Sequence, residues 1–286
     1  MKLSLLFPVR KTFGNISESI KKYFSITLCF LFFSSGVMSV ERPNILFICV
    51  DDLRTELGCY GEDHIISPKL DNLAGEGYLF TNHFVNVPTC GASRNCLLTG
   101  KLPATKQHLQ NNITAETIAK REEAEVPETF IHHLRRNGYY TVGIGKITHH
   151  PDGLVYGYME PKSEKLELPH SWDEMLFNPG KWETGWNAFF GYADGTNRNT
   201  LKKEVKPYEC ADVPDEAYPD GLTANLAIKK LNELKGKGRP FFLGVGFFKP
   251  HLPFNAPKKY WDLYHRKELP IAPFAAIPEN SSKRSL

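Results

Sequence analysis

A reactive side chain and a guanidinium group occur together in the segment from Cys90 to Gly100. The pattern predicts a helix that begins near Cys90, carries Ser93 and Arg94 in its first turn and ends at Gly100. A helix N-terminus offers unpaired N–H groups and a partial positive charge, which suits an anionic ligand. The segment therefore predicts an anion site with a reactive group at its edge. The simpler alternative is a loop cysteine at an ordinary helix start.

Two carboxylates follow the apolar run at residues 45–50. This run is rich in β-branched side chains and predicts a fully buried, parallel strand. Asp51 and Asp52 come directly after it, at the edge where open α/β sheets bind ligands. Adjacent aspartates repel each other, and a hard divalent cation relieves the repulsion, so we predict a metal site here. The alternative is a turn with two solvated acids.

Basic side chains follow the next predicted strand, at residues 139–144. Lys146 can neutralise anionic oxygens, and His149 or His150 can exchange a proton near neutral pH. Both histidines follow the lysine closely, so this pattern leaves the choice between them open. The alternatives are a solvated loop and a transition-metal site.

A third buried strand is predicted at residues 241–248, and it also ends in basic groups. Lys249 and His251 follow it, and three parallel strand ends would bring these side chains to one sheet edge. The alternative is a histidine that only satisfies a backbone contact between prolines.

The remaining patterns predict elements around these strands. They are a helix from Pro68 to Gly75 or Gly77 with Leu70, Leu73 and Ala74 on one face, a strand from Leu79 to Phe84, a loop with a surface helix over 105–125, a helix from Pro127 to Gly138, and a helix from Thr223 to about Leu234. An aromatic cluster between the second and third strands predicts core beneath a long loop, with a sugar platform as the alternative. Its members are Trp172, Phe177, Trp182, Trp186, Phe189, Phe190 and Tyr192.

The first 39 residues read as a secretory signal peptide. Lys21 and Lys22 precede an apolar run at 23–33, and small residues near Ser39 suit cleavage. We expect a secreted or periplasmic protein without a stable membrane span after cleavage; the alternative is an uncleaved anchor. Five of the six cysteines lie beyond this segment, so at least one of them is unpaired in a monomer. The net charge of +3 is too small for 286 residues to indicate nucleic acid, so we expect no such partner.

Three motifs resemble the sulfatase family. Cys90-Gly91-Ala92-Ser93-Arg94 with Leu98-Thr99-Gly100 resembles the family signature, Cys-x-(Pro or Ala)-Ser-Arg followed by Leu-Thr-Gly. The segments at 53–61 and 249–254 resemble the iduronate-2-sulfatase-like branch. The resemblance implies an α/β fold like that of the alkaline phosphatase superfamily, with a mixed central sheet flanked by helices.

The resemblance also implies the chemistry of each site residue. Cys90 is expected to be converted to formylglycine by a maturase, with Arg94 as its stabilising partner. Asp51, Asp52 and the modified residue 90 are expected to bind Ca²⁺. Lys146, His149 and His251 are expected to be catalytic, and Lys249 to hold an acidic group of the substrate.

These implications predict hydrolysis of a sulfate ester on a sulfated, uronate-containing polysaccharide. The resemblance covers about Arg42 to Pro273, and the second pair of metal ligands that the family carries has no counterpart after Asp262. It therefore implies that residues 40–286 are the N-terminal portion of a sulfatase catalytic domain, with its C-terminal part missing. We expect weak stability or activity from such a chain alone. Two other functions stay open: a phosphodiesterase or phosphonate hydrolase of the same superfamily, and a non-catalytic remnant that binds sulfated glycans.

Overall fold

A four-stranded parallel sheet is the central element of the computed structural model, which describes residues 42–271 and residue 277. Its strands are β1 (Ile45–Val50), β2 (Tyr140–Gly145), β3 (Glu174–Leu176) and β5 (Phe241–Phe247), in the spatial order β1-β5-β2-β3. Strands β4 (Tyr208–Ala211) and β6 (Phe254–Pro257) form a separate parallel pair. The predicted α/β class is confirmed, whereas the predicted signal peptide lies outside the described residues.

The strand register brings three strand ends to the same level. Val50 of β1 lies opposite Phe247 of β5, and Gly145 of β2 lies opposite Gly246. A side chain on Gly246 would meet the backbone of Lys146 at 2.1 Å, so only glycine permits this close approach. The residues that follow β1, β2 and β5 therefore emerge at one edge of the sheet.

The described chain has six α-helices: α1 (Pro68–Glu76), α2 (Cys90–Thr99), α3 (Phe130–Arg136), α4 (Gly185–Phe189), α5 (Pro219–Lys235) and α6 (Lys258–Trp261). Three of them, α2, α3 and α5, pack on the two faces of the sheet around β5. One buried cluster joins Leu98 of α2 and Ile131 of α3 to Phe242 of β5. A second joins Leu234 of α5 to Leu243, the next residue of the same strand. Successive side chains of β5 thus pack on opposite sides of the sheet, as expected for a strand buried on both faces.

Several predicted elements are confirmed in place. Helix α2 begins at Cys90, and it ends at Gly100, which adopts a left-handed conformation with φ of 66°. Strands β2 and β5 lie within one residue of their predicted bounds. Helix α5 begins four residues before the predicted Thr223, because Pro219 occupies its first turn, where a missing N–H costs nothing. Helix α3 begins at Phe130 rather than Pro127, since Thr129 caps it by accepting the His132 amide.

Two other predictions were wrong. Strand β1 is not fully buried, because Leu46 and Ile48 are 48% and 52% exposed on a face that no described element covers. Helix α1 forms as predicted and ends before Gly77, but its apolar face is also exposed, with Leu73 at 63%. No strand forms over residues 79–84, which are irregular and expose Phe80 and Phe84.

Two segments between these elements also differ in detail from expectation. The surface helix predicted within 105–125 is instead a series of short turns, and its π-helical turn Ala115–Ala119 buries Ile118 against Leu98. The aromatic cluster is core, as preferred: Trp182, Trp186 and Phe189 are buried together. Among the residues that the structure describes, no helix has the length and apolar character needed to cross a bilayer.

Candidate active site

A cavity of about 350 Å³ lies where β1 meets the N-terminus of α2. Asp51 and Asp52 line it from the end of the strand, and Cys90, Ser93 and Arg94 line it from the first turns of the helix. The predicted acids and the predicted anion site therefore belong to a single cavity.

Cys90 contacts two charged groups in this cavity. Its Sγ atom donates a hydrogen bond to Asp51 Oδ1 at 3.2 Å and accepts one from Lys146 Nζ at 2.7 Å. The residue after it, Gly91, packs so closely on Asn111 that a Cβ atom there would lie 2.0 Å from the Asn111 carbonyl oxygen. Glycine at position 91 is therefore required for the helix to begin where Cys90 can reach the charged groups.

Arg94 joins α2 to the ends of β1 and β2. Its Nη2 donates to Asp51 Oδ1 at 3.0 Å, and its Nη1 donates to the carbonyl oxygens of Lys146 and Ile147 at 2.6 and 3.1 Å. The residue is only 8% exposed. Because a guanidinium presents several donors in a fixed plane, it holds all three acceptors in one geometry.

Lys146 is the most deeply buried cation of the site, at 1% exposure. Its Nζ lies 3.2 Å from Asp51 Oδ2, and the ring of Phe189 lies 5.6 Å away. Burial raises the pKa of Asp51, but the charges of Lys146 and Arg94 outweigh burial and hold the pKa below its ordinary value. Asp51 is therefore an ionised acid between two cations.

The two histidines after Lys146 have different environments. His150 Nδ1 lies 2.8 Å from Oε2 of Glu167, a fully buried carboxylate that also accepts the His150 amide. His149 Nδ1 is buried and has no hydrogen-bond partner. Burial and the charge of Lys146 lower the pKa of His149 to about 4. A neutral imidazole with an unused nitrogen can accept a proton, so the geometry favours His149 over His150 as a base.

The low pKa of His149 predicts a pH-dependent stability. In the unfolded chain its pKa is about 6.5, so below that pH the unfolded state binds a proton that the folded state does not. Stability is therefore expected to fall as the pH drops from about 6.5 towards 4, and His149 alone accounts for about 2 kcal/mol between about pH 7.5 and pH 5. Urea unfolding of His149→Gln at both pH values should show a pH effect smaller by that amount.

The matched control for this measurement is His133→Gln, because the His133 side chain is 64% exposed. It should leave the difference in unfolding free energy between the two pH values unchanged. Equal pH effects in the unaltered chain and in His149→Gln would contradict a buried neutral His149.

His251 and Lys249 occupy the turn that follows β5. His251 Nε2 lies 3.9 Å from Asp52 Oδ2, and its ring lies 4.6 Å from that of Phe189. Lys249 Nζ donates to the carbonyl oxygen of His251 at 3.0 Å. Burial lowers the pKa of Lys249 to about 8, against the opposing charges of Asp220 and Asp51. The ammonium is thus still mainly protonated at neutral pH.

Comparison with known proteins decides the family. A profile of the Sulfatase family matches residues 43–272, which include every site residue described above. The chain belongs to the sulfatase family. Iduronate 2-sulfatase of Mus musculus is 32% identical over 247 residues, which cover 86% of this chain and 42% of that protein. Choline-sulfatase of Rhizobium meliloti is 29% identical over 248 residues, which cover 84% of this chain and 44% of that protein.

Solved structures agree on the fold of this sulfatase-family chain. The phosphonate monoester hydrolase of Agrobacterium radiobacter superposes with a TM-score of 0.55 at 24% identity, over 80% of this chain and 45% of that one. The corresponding enzyme of Silicibacter pomeroyi gives a TM-score of 0.51 at 22% identity, over 80% and 46%. The chain spans less than half of the length of the curated relatives it matches.

The acids of this sulfatase-family site fit a divalent cation in part. Asp51 Oδ2 is buried and accepts no hydrogen bond, although the Lys146 ammonium lies 3.2 Å away, and the Asp52 carboxylate next in sequence is 60% exposed. A calcium ion takes about six to eight oxygen ligands. Within the described ranges, 42–271 and 277, no three or more His, Cys, Asp and Glu side chains converge closely enough to hold a metal ion. Asp51 and Asp52 therefore supply part of a coordination shell.

Two residues of the site were not predicted as functional. The Phe189 ring lies within 6 Å of the ammonium groups of Lys146 and Lys249 and contacts His251. It therefore lies between the basic residues that follow β2 and those that follow β5. Glu167 holds the His150 ring through a hydrogen bond. The sequence around Glu167 does not indicate this role, because a single glutamate in a loop is most often solvated. The aromatic pattern did predict burial of Phe189, but not its place between cations.

Proposed function

We propose that this protein hydrolyses sulfate esters with a formylglycine formed from Cys90. The observation that carries the proposal is the position of Cys90 Sγ, within hydrogen-bond distance of both the Asp51 carboxylate and the Lys146 ammonium. An oxygen nucleophile at this position would lie beside the Lys146 ammonium, which stabilises its ionised form, and Lys146 and Arg94 together can stabilise negative charge on the sulfate oxygens. Membership of the sulfatase family supports the same reaction class.

Formation of the nucleophile is an oxidation that a maturase must catalyse. The Cβ–Sγ bond of Cys90 breaks, a C=O bond to an oxygen derived formally from water forms, and sulfur leaves as hydrogen sulfide. Two electrons and two protons pass to the oxidant that the maturase uses. Addition of water to the aldehyde then gives a hydrate with two hydroxyl groups.

Transfer of the sulfuryl group is the first step of turnover. One hydrate hydroxyl loses its proton to solvent water and its oxygen attacks sulfur, while the bond from sulfur to the alcohol oxygen of the ester breaks. Lys146 and Arg94 stabilise the developing charge, and His251 donates the proton that the leaving alcohol oxygen takes. His251 is suited to this role because it follows β5, the strand between β1 and β2, and its ring packs against that of Phe189.

Release of sulfate is the second step. His149 accepts the proton of the remaining hydroxyl group, the bond from carbon to the sulfated oxygen breaks, and the aldehyde is restored. The neutral imidazole that burial enforces at His149 is the form that can accept this proton. The net reaction consumes one water and yields an alcohol and hydrogen sulfate.

A divalent cation, which we take to be Ca²⁺, is the proposed metal. Asp51, Asp52 and the modified residue 90 would hold it, together with ligands beyond those described. When bound, the ion supplies positive charge to the sulfate oxygens and to the hydrate.

The proposed substrate is a sulfated, uronate-containing polysaccharide. The likeness to iduronate 2-sulfatase over 86% of this chain supports this class. Lys249 is the proposed partner of the substrate carboxylate, since its ammonium lies beside His251. Residues 1–39 are the proposed signal peptide, and export by it would bring the protein to such polysaccharides and to an oxidising compartment.

Mass spectrometry of the peptide that contains Cys90 tests the first step. Protein produced together with a formylglycine-generating maturase is expected to carry an aldehyde at residue 90, with Cys96 of the same helix as the unmodified internal control. An unmodified thiol at both positions would contradict the proposal.

A panel of sulfate, phosphate and phosphonate esters separates the remaining functions. The expected result is preferential turnover of the sulfate esters. Preference for a phosphodiester or a phosphonate monoester would instead assign the chain to phosphoryl chemistry within the same superfamily. Binding of sulfated glycan without turnover of any ester, unchanged in Cys90→Ala, would mark a binding protein.

A further inference from the structure

The turn that carries His251 is attached to helix α5 through one carboxylate. Asp220 Oδ1 accepts the amide of Phe248 at 2.8 Å, and Asp220 Oδ2 accepts the amide of Lys249 at 2.9 Å. We propose that Asp220 is a positioning residue, which sets the place of His251 and Lys249 in the active site. This proposal rests on the proposed function, because His251 is the proton donor there.

The turn has its own internal bonds, which make it move as a unit. The His251 amide donates to the carbonyl oxygen of Phe248 at 3.1 Å, and Lys249 Nζ donates to the carbonyl oxygen of His251 at 3.0 Å. A displacement at the amides that Asp220 holds is therefore transmitted to the His251 backbone. The imidazole makes a further bond within the turn, from Nδ1 to the carbonyl oxygen of Leu252 at 2.7 Å.

Helix α5 is a rigid base for this carboxylate. Pro219 lies in its first turn, next to Asp220. Gly221, on the other side, packs so closely on Asp215 that a Cβ atom would lie 2.0 Å from the Asp215 carbonyl oxygen. The helix start is thus in close backbone contact with the preceding turn, and side chains on rigid elements hold a site more exactly than side chains on loops.

An aspartate is chemically suited to two adjacent amides. Burial raises the pKa of the Asp220 carboxyl, whereas the two amide hydrogen bonds and the charge of Lys249 act in the opposite direction. Both oxygens accept an amide, so the geometry fits the ionised form, which has two acceptor oxygens and no donor and makes charge-assisted hydrogen bonds. The amide of an asparagine would face one of these N–H groups with an NH₂ group, so one of the two bonds would be replaced by a donor–donor contact. Asp220→Asn should therefore loosen the turn at nearly constant side-chain volume.

Asp173 provides a matched control at the opposite end of the sheet. Its Oδ2 accepts the amide of Thr141 at 2.9 Å at the beginning of β2, whereas the site lies beyond the end of that strand. Asp173→Asn removes the same kind of hydrogen bond, from a backbone amide to a carboxylate, at the beginning of the strand that Lys146 follows. Asp173 itself lies outside the site.

The first readout is steady-state turnover of 4-nitrocatechol sulfate by the maturase-treated chain. A misplaced proton donor slows the chemical step, so Asp220→Asn is expected to lower kcat by ~10- to 100-fold and to change KM little. Asp173→Asn should keep kcat within about threefold of the unaltered chain. Asp220→Glu, which retains the charge but moves the carboxylate by one methylene, should lower kcat in the same direction if Asp220→Asn does not fold.

The second readout does not depend on activity. Labelling of histidines with diethyl pyrocarbonate, followed by peptide mass spectrometry, reports the accessibility of His251 relative to the buried His150. Loss of one charge-assisted bond should raise the relative labelling rate of His251 by about tenfold in Asp220→Asn and leave it unchanged in Asp173→Asn.

The two readouts separate this proposal from the proposed function. If the unaltered chain does not hydrolyse the ester, the proposed function fails, while the labelling rates still decide whether Asp220 holds the turn. Equal labelling of His251 in the Asp220 and Asp173 variants would overturn the positioning role. A fall in kcat shared equally by both variants would overturn it as well, because it would indicate general loss of structure.

Discussion

Replacement of Cys90 with alanine is expected to abolish turnover of sulfate esters, with a loss of ~10⁴-fold or more. Alanine has no sulfur for a maturase to remove, so no aldehyde hydrate forms and the site lacks its nucleophile. The loss should appear in kcat, because Arg94 and Lys146 would remain in place to bind an anion. Initial rates on 4-nitrocatechol sulfate, with both proteins treated by the maturase, measure it.

The appropriate control is Cys210→Ala, because Cys210 is exposed and lies on β4, away from the candidate site. All five cysteines of the described chain are free thiols, so neither substitution breaks a disulfide. The control should retain the rate of the unaltered chain. Retention of more than about a tenth of that rate by Cys90→Ala would show that another group attacks sulfur.

The strand ends of the site could be predicted because their signals are local. Apolar runs at 45–50, 139–144 and 241–248 are long enough to indicate strands, and parallel strands deliver the residues that follow them to one edge. Gly100 likewise marks the end of α2, since glycine readily adopts the left-handed conformation found there. The closeness of Asp51 and Lys146 follows from this edge rule, whereas Cys90 reaches both of them from the start of α2.

The parts that could not be predicted depend on partners distant in sequence. An apolar strand looks the same whether one or two of its faces are covered, so the exposure of Leu46 and Ile48 has no local signal. Asp220 and Glu167 are polar residues whose hydrogen-bond partners lie 28 and 17 residues away in the sequence. The segment at 79–84 contains residues that favour strands but finds no partner strand among the described residues, and propensity alone does not form a sheet.

Replacement of Asp51 with asparagine is expected to destabilise the folded chain by roughly 3–5 kcal/mol. Asp51 is 4% exposed and pairs with Arg94 and Lys146, which are 8% and 1% exposed. Asparagine keeps the volume but removes the charge, so two buried cations would remain without a counter-ion. Urea unfolding in the presence of a chelator measures the effect of the charge cluster alone.

The neighbouring residue supplies the control for this experiment. Asp52→Asn is the same substitution at a side chain that is 60% exposed, and asparagine tolerates the left-handed backbone found there, with φ of 57°. It should change the free energy of unfolding by no more than about 0.5 kcal/mol. If Asp51→Asn were equally mild, Asp51 would not be the charge that allows Arg94 and Lys146 to be buried side by side. Burial of two unpaired cations is unfavourable, so another negative charge would then have to compensate Arg94 and Lys146. The position of Cys90 between a carboxylate and an ammonium would in that case need a different electrostatic explanation.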